Sequence, residues 1–414
     1  MMSHAAFNRR RTISVVSVVT ALSLLGDSML YVVLPIYWHQ AGLGALWEVG
    51  VLLSVNRLVR LPLNPLIGWM YNRMSLRAGL LVATGLGALT TLGYGVSDSF
   101  AAWLALRILW GIAWSLLRMG GLLTVIGYSD SANRGQSMGR YNGISRLGSL
   151  AGMFGGGVLT IMIGLQAVSI AFGLLTMTGF LVIWLLLPAG KKADAAPPVK
   201  LTLGELAKLM RTSAVVLALV GGLTISLLQA IPNATLSLVI EANYGQELLL
   251  FGMLLGSTAL SGALLAARYG SDFLLSAWFG RKSDGAGGRF PLLLVALIGS
   301  AVGYALLPWR YPLPVWVGVV LLVMVAGTAL VTLMDAVAAD VAHSSVTIAV
   351  MTAYAVAADL GAALGPMISL WAIGASGASH AVYLGSAVVF LVVAGWFGRS
   401  PVARQAGLPA VDRG

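Results

Sequence analysis

Residues 138–188 read MGRYNGISRLGSLAGMFGGGVLTIMIGLQAVSIAFGLLTMTGFLVIWLLLP. Arg140 and Arg146 are the charged residues in this stretch. A membrane-spanning helix needs about 20 consecutive apolar residues. The run is therefore long enough to cross a bilayer twice, at 138–163 and 165–188. Lipid admits only helices and closed barrels as spanning structures, and the alternating pattern of a barrel strand is missing, so both crossings read as helices. The stretch also recurs. Met138, Tyr141, Leu147, Gly148 and Gly152 reappear as Met351, Tyr354, Leu360, Gly361 and Gly365, all displaced by 213 positions. A second pair of segments agrees: Gly68-Trp-Met-Tyr-Asn72-Arg73 and Arg77 align with Gly280-Arg-Lys-Ser-Asp284 and Arg289 at a displacement of 212.

The rest of the chain extends this pattern. It has 414 residues, 58% hydrophobic and 9% charged, with a mean hydropathy of +0.91. A soluble domain is about a quarter charged. Twelve spans are expected, at 14–38, 47–71, 76–96, 100–128, 138–163, 165–188, 213–240, 248–277, 290–308, 313–341, 346–373 and 380–397. The apolar run after Arg9–Arg11 is too long for a signal peptide and has no convincing cleavage site, so it is read as the first span. Residues 189–212 contain Pro197-Pro198 and a group of lysines. They read as a cytoplasmic linker with a short amphipathic helix near Leu203–Met210. This divides the chain into an N-terminal bundle (1–188) and a C-terminal bundle with a short tail (213–414), each of six spans. Because six is even, both halves enter from the same side, as a parallel repeat about an axis along the membrane normal.

Charge placement sets the orientation. With the N-terminus inside, 18 of the 25 Lys and Arg fall at cytoplasmic ends and loops, one (Arg310) falls outside, and six lie within spans. Positive loops stay in the cytoplasm, so both termini are expected there, in a bacterial-type inner membrane. The net charge of +11 is spread over short loops and forms no concentrated basic face, which argues against nucleic acid. Trp38, Trp47, Trp309 and Trp316 fall at expected outer boundaries, as interfacial anchors would. There is no cysteine, and the four histidines have no metal-ligand spacing. No metal or cofactor is expected.

With its motifs in order, the chain resembles the major facilitator superfamily over essentially its full length. The loop after span 2 keeps Gly68, Arg73 and Arg77 of the pattern G-x-x-x-D-R-x-G-R-[KR], with Asn72 in place of the acid. Its second-half counterpart keeps Gly280, Asp284, Gly287 and Arg289. Span 4 carries R-x-x-x-G as Arg107 and Gly111. Span 5 carries the antiporter-linked glycines Gly148, Gly152 and Gly156, with Met153 in place of the proline, and the later copy has Gly361, Gly365 and Pro366. The resemblance implies an all-α membrane protein with two pseudo-symmetric six-helix bundles around a central cavity open alternately to each side. The first and fourth helices of each half would line that cavity, and the second and fifth would form the bundle interface. Small residues at i, i+4 let helices approach closely, which suits a rocking interface at the glycine ridges as well as ordinary tight packing.

Several charges lie inside spans. Each costs roughly 2.5–3.5 kcal/mol at the bilayer centre on the insertion scale, so each needs a partner or a watery cavity. The first half has Asp27 with Arg57, Arg60, Arg107, Arg118 and Arg146. The second has Arg268 with Asp272, Asp335, Asp340 and Asp359. Arg57, Arg60 and Asn64 share one helix face, at a depth similar to Asp27. Arg146 and Asp359 are repeat-equivalent with opposite charge, and some such groups are expected to pair across the bundle interface. Asp27 and then Asp359 are the candidate proton carriers. Tyr31 is a further cavity candidate. Arg107, Trp110, Trp114 and Arg118 form one stripe, read either as an anionic or aromatic substrate site or as helix packing with cation–π contacts.

No nucleotide-binding G-x-x-x-x-G-K-[ST] is present, which leaves no basis for a primary pump. Gly26-Asp27-Ser28 lies mid-helix, and the hydrolase and zinc-protease motifs are absent, so an enzyme is not expected. The leading expectation is a secondary active transporter, expected to be monomeric, that moves a small organic molecule by alternating access. Proton-coupled export is the first reading, and uptake or exchange of an organic anion the second. A non-transporting sensor on the same scaffold is a third.

Overall fold

The computed structural model describes residues 4–129, 133–187, 212–245, 247–250, 253–283, 288–342, 347–377 and 379–399. The linker 189–211 with its expected amphipathic helix, the motif residues Asp284 and Gly287, His343 and the tail from 400 onward lie outside them.

The first four helices are α1 (His4–Tyr37), α2 (Leu46–Tyr71), α3 (Leu76–Tyr94) and α4 (Phe100–Tyr128). The run Arg134–Leu186 is helical except at Gly164 (φ 81°, ψ 160°), which separates α5 from α6. A side chain is strained at positive φ, so glycine is the residue that lets one helix end and the next begin without a loop. The later helices are α7 (Ser213–Tyr244), α8 (Ser257–Ser283), α9 (Arg289–Leu306), α10 (Leu313–Ala342), α11 (Thr347–Ser376) and α12 (His380–Arg399). The protein is thus a twelve-helix membrane protein, as its hydropathy predicts. Nine of the described helical runs are long and apolar enough to cross a membrane, and one of these is the double-length α5–α6 run. The remaining two, α2 and α8, carry Arg57 and Arg60, and Arg268 and Asp272.

The start of the eighth span departs from expectation. The span expected from residue 248 starts as helix only at Ser257. Ahead of it, β1 (Glu247–Leu250) and β2 (Met253–Gly256) pair antiparallel, Glu247 opposite Gly256.

The chain forms two compact units. The first is α1–α6 with Leu236–Leu238 and the stretch from Gln246 to Ala266. The second is the remainder of α7, α8 from Ala267, and α9–α12. The unit boundary therefore runs through α8, not only through the linker.

In the first unit the glycine ridge of α5 packs on α1. A Cβ at Gly148 would overlap the backbone of Ala21, one at Gly152 the backbone of Leu25, and one at Gly156 the side chain of Met29. Both series advance by four, so the two helices run parallel and in register. The ridge is thus packing internal to the unit. A second stripe of α5 meets the start of α8, where the Thr258 hydroxyl donates to the Gly157 carbonyl at 3.0 Å. The second unit repeats the first contact, with Gly361 against Leu223 and Gly365 against Leu227, again four apart.

Three buried hydroxyls of α1 are satisfied within the helix itself. Ser17, Thr20 and Ser23 each donate to the carbonyl four residues back, which removes the cost of an unpaired polar group in an apolar setting. Trp316 is no interfacial anchor. It is fully buried, with its indole N–H on the Leu307 carbonyl. Trp47 and Trp309 are exposed.

Candidate functional site

The polar centre of the first unit joins three helices. Arg107 of α4 is fully buried. Its Nη1 is 2.5 Å from Asp27 Oδ1 of α1, and its Nε donates to the Leu52 carbonyl of α2 at 2.8 Å. Asn56 Nδ2, one turn further along α2, reaches the same Asp27 oxygen at 3.4 Å. Gly111 makes this approach possible, since a Cβ there would stand 2.8 Å from the Asn56 carbonyl oxygen. The R-x-x-x-G pair therefore docks α4 onto α2 at two successive turns, Leu52 and Asn56. Asp27 keeps 14% of its side chain exposed, so one end of the pair is sealed and the other is open. Tyr31, one turn beyond Asp27, is buried and donates to the Leu53 carbonyl at 3.3 Å.

The structure thus brings Asp27 to Arg107, not to Arg57 or Arg60. Arg57 is half-buried, Arg60 is buried, and each has contacts of its own. Asn64 is exposed and accepts from Ser115 Oγ at 3.1 Å. The expected stripe on α4 is split. Trp110 is buried and stacks on half-buried Trp114 at 6.4 Å, Arg107 turns away to Asp27, and Arg118 is exposed. Among the described residues neither arginine lies over either indole. Trp110 packs with Leu24 and Ala113.

The second unit has its own polar centre, in which the charges Arg268, Asp272 and Asp335 meet neutral partners. Arg268 of α8 donates from Nη1 to Asn233 Oδ1 at 3.1 Å and from Nη2 to Gln229 Oε1 at 3.2 Å, both on α7. Asp272, one turn along α8, accepts from Thr328 Oγ1 of α10 at 2.5 Å. Buried Tyr354 of α11 donates to Asp335 Oδ1 of α10 at 2.7 Å. Arg146 is exposed on α5, and Asp359 is half-buried on α11 and engaged in a contact.

The glycine contacts fix how the halves correspond. Ala21 and Leu25 match Leu223 and Leu227, a displacement of 202, whereas α2 maps onto α8 at 212. The ten extra residues are shared between a longer α7, which ends at Tyr244 where the end of α1 corresponds to position 239, and the longer connection that follows it. On this register Asp27 and Tyr31 correspond to Gln229 and Asn233, and Asn56 and Arg60 correspond to Arg268 and Asp272. A sequence comparison at the displacement of 212 finds the α2–α8 pairs but not the α1–α7 pairs.

The motif loops are held differently in the two halves. Asn72 caps α2, its N–H on the Gly68 carbonyl. Arg73 lies 3.9 Å over the Trp69 ring, and Arg77 donates to the Trp184 carbonyl. In the second half Arg289 pairs with Asp340 at 3.1 Å. A Cβ added at Gly280 would meet no atom within 4 Å, and the same holds at Gly68. Pro366 sits inside α11.

The Major Facilitator Superfamily model matches residues 16–283. The chain belongs to the Major Facilitator Superfamily. Its fold is similar to that of the nucleoside transporter NupG, with a TM-score of 0.77 at 13% identity, covering 94% of this chain and 98% of that one. It is also similar to a bacterial homolog of the human lysosomal transporter Spinster, solved inward-facing and unoccupied, with a TM-score of 0.72 at 14% identity and coverage of 94% and 96%. At these identities the likeness is one of fold. A 118-residue stretch is 30% identical to the chromaffin granule amine transporter of Rattus norvegicus, spanning 28% of this chain but only 23% of that relative. As a superfamily member the chain is a multi-pass membrane transporter of the secondary type.

Proposed function

We propose that this transporter exports a small organic molecule in exchange for protons by alternating access, with Asp27 as the carboxylate that carries the proton. The observation that carries this reading is the Asp27–Arg107 pair. A carboxylate between a fully buried guanidinium and an exposed edge has two ways to be neutralised, by Arg107 or by a proton. Protonation releases the ion pair and frees Arg107 from α1, while Arg107 remains tied to α2 through Leu52. Proton binding is thereby linked to contacts among α1, α2 and α4. The amine named in the rat relative's function adds a substrate class to test first, because a protonated amine competes with a proton for a carboxylate. Asp359 is the second candidate carrier. The expected location is an inner membrane with both termini cytoplasmic.

The test is reconstitution in liposomes with an internal pH dye and a screen of amines, metabolites and drugs for substrate-induced proton movement. The expected result is a proton signal in the wild type that disappears in Asp27→Asn while substrate still stabilises the variant against heat. A signal unchanged in Asp27→Asn removes Asp27 from the role and turns the test to Asp359→Asn. Substrate flux with no proton movement overturns the coupling itself.

A further inference from the structure

The two polar centres differ in how their charges are settled. In the first unit the acid and the guanidinium bond to each other. At the corresponding place in the second unit the acid is replaced by Gln229, and an arginine, Arg268, stands where α2 has Asn56. Among the described residues Arg268 has no carboxylate partner. It is held by the amide oxygens of Gln229 and Asn233, which orient the guanidinium without neutralising it. Asp272 is likewise held by a neutral hydroxyl, Thr328 Oγ1. Residues at i and i+4 on a helix stand about 6 Å apart at Cβ, near enough for these two side chains to pair, yet each is drawn to a different neighbouring helix.

Two further observations point to something that binds there. Arg268 Nε and Gln229 Nε2 are buried with no hydrogen-bond partner among the described residues, and Gln229 is only 5% exposed. Because Gln229 Oε1 accepts from the guanidinium, its Nε2 is fixed as a donor. Both unfilled atoms are therefore N–H groups in need of an acceptor, and buried donors are rarely left so. The cluster is also tightly built. A Cβ at Gly327, beside Thr328 on α10, would overlap the Gln229 amide, so α10 fixes that side chain in place. Arg268 and Asp272 themselves are half-buried and reachable. Gln229, Asp272 and Thr328 each fall near the middle of their helices, the depth at which secondary transporters hold substrate.

We propose that Arg268 and Asp272 form a recognition site for a small zwitterion, its anionic group taken by Arg268 with Gln229 Nε2 and its cationic group by Asp272. The spacing of one helical turn sets the scale of the ligand: its two charges are a few bonds apart, as in an amino acid or a dipeptide. The site rests on the reading of the chain as a transporter of a small organic molecule and narrows that molecule's class.

The test uses the purified full-length chain and the heat stabilisation given by free amino acids and dipeptides, each beside its methyl ester and its N-acetyl derivative. The expected result is a zwitterion that stabilises the wild type, with apparent affinity at least tenfold weaker for both derivatives. In Arg268→Gln the zwitterion falls to the level of its ester, and in Asp272→Asn to that of its N-acetyl form. The derivative series on the wild type decides the matter even where a variant fails to fold. Equal stabilisation by derivative and parent overturns the site, as does the absence of any shift from the zwitterions. The same panel in the liposome assay separates this inference from the coupling reading. Proton movement driven by a simple amine with no zwitterion binding removes the site and leaves antiport standing. Zwitterion binding without proton movement does the reverse.

Discussion

Gln229 occupies in α7 the place that Asp27 occupies in α1, as the glycine contacts of α5 and α11 establish. One unit thus has a carboxylate at this point and the other a neutral amide, although the surrounding helices follow the same plan. The acid of the first unit is bound to a buried arginine, and the amide of the second supports a half-buried one.

Removing one member of a buried pair leaves the other uncompensated, which costs about 3–5 kcal/mol. Asp27→Asn is expected to lower unfolding stability by somewhat less than this, since Asp27 is partly exposed, and Arg107→Gln by a similar amount. The double variant is expected to recover much of the loss. Thermal unfolding in detergent measures all three. Additive losses in the double variant would show that the pair does not act as a pair.

The α1–α5 contact allows no side chain at Gly148. Gly148→Leu is expected to destabilise by at least the roughly 1–3 kcal/mol typical of overpacking, because the obstacle is backbone and not a movable side chain. Gly361→Leu is expected to behave the same way in the second unit. Gly155→Ala, where no atom lies within 4 Å of the added Cβ, is the control and is expected to change little. Expression level and melting temperature report each.

Arg289 and Asp340 form the visible ion pair of the second motif loop, but Asp340 is 54% exposed in its side chain. Exposed pairs contribute roughly 0–1 kcal/mol. Asp340→Asn is expected to leave the melting temperature almost unchanged. A large drop would mean that Asp340 is shielded from water in the membrane and bears more of the fold than its exposure indicates.

Orientation can be read with single cysteines, since the native chain has none. Asp98→Cys and Arg310→Cys are expected to react with an impermeant maleimide in intact cells. Arg73→Cys and Arg281→Cys are expected to react only after the membrane is opened. The reverse pattern would invert the topology.

Most helices are legible because hydropathy alone marks them: the ends expected for the fourth span, 100–128, are those observed. The break at Gly164 is legible as well, because a single glycine divides an apolar run too long for one crossing. The start of α8 is not. Residues 248–256 are as apolar as a span, and nothing in their composition separates a short hairpin from a helical turn. At the polar centre, Asp27 and Arg107 stand out as charges, but similar depth on neighbouring helices points to Arg57 and Arg60. Partner choice there depends on rotation about each helix axis, which spacing along one chain does not determine. Gln229 and Asn233 stay hidden because neutral amides do little to a hydropathy profile, and because the repeat shifts by ten residues between α7 and α8.

The turn at Gly164 uses a single non-helical residue to reverse from α5 to α6. A connection so short offers no slack segment to cut, to carry an affinity tag, or to serve as an epitope. Protein engineering at that end of the first unit has to use the turns at 38–45 and 95–99 instead, and an antibody fragment raised as a crystallisation aid has to find its grip there as well.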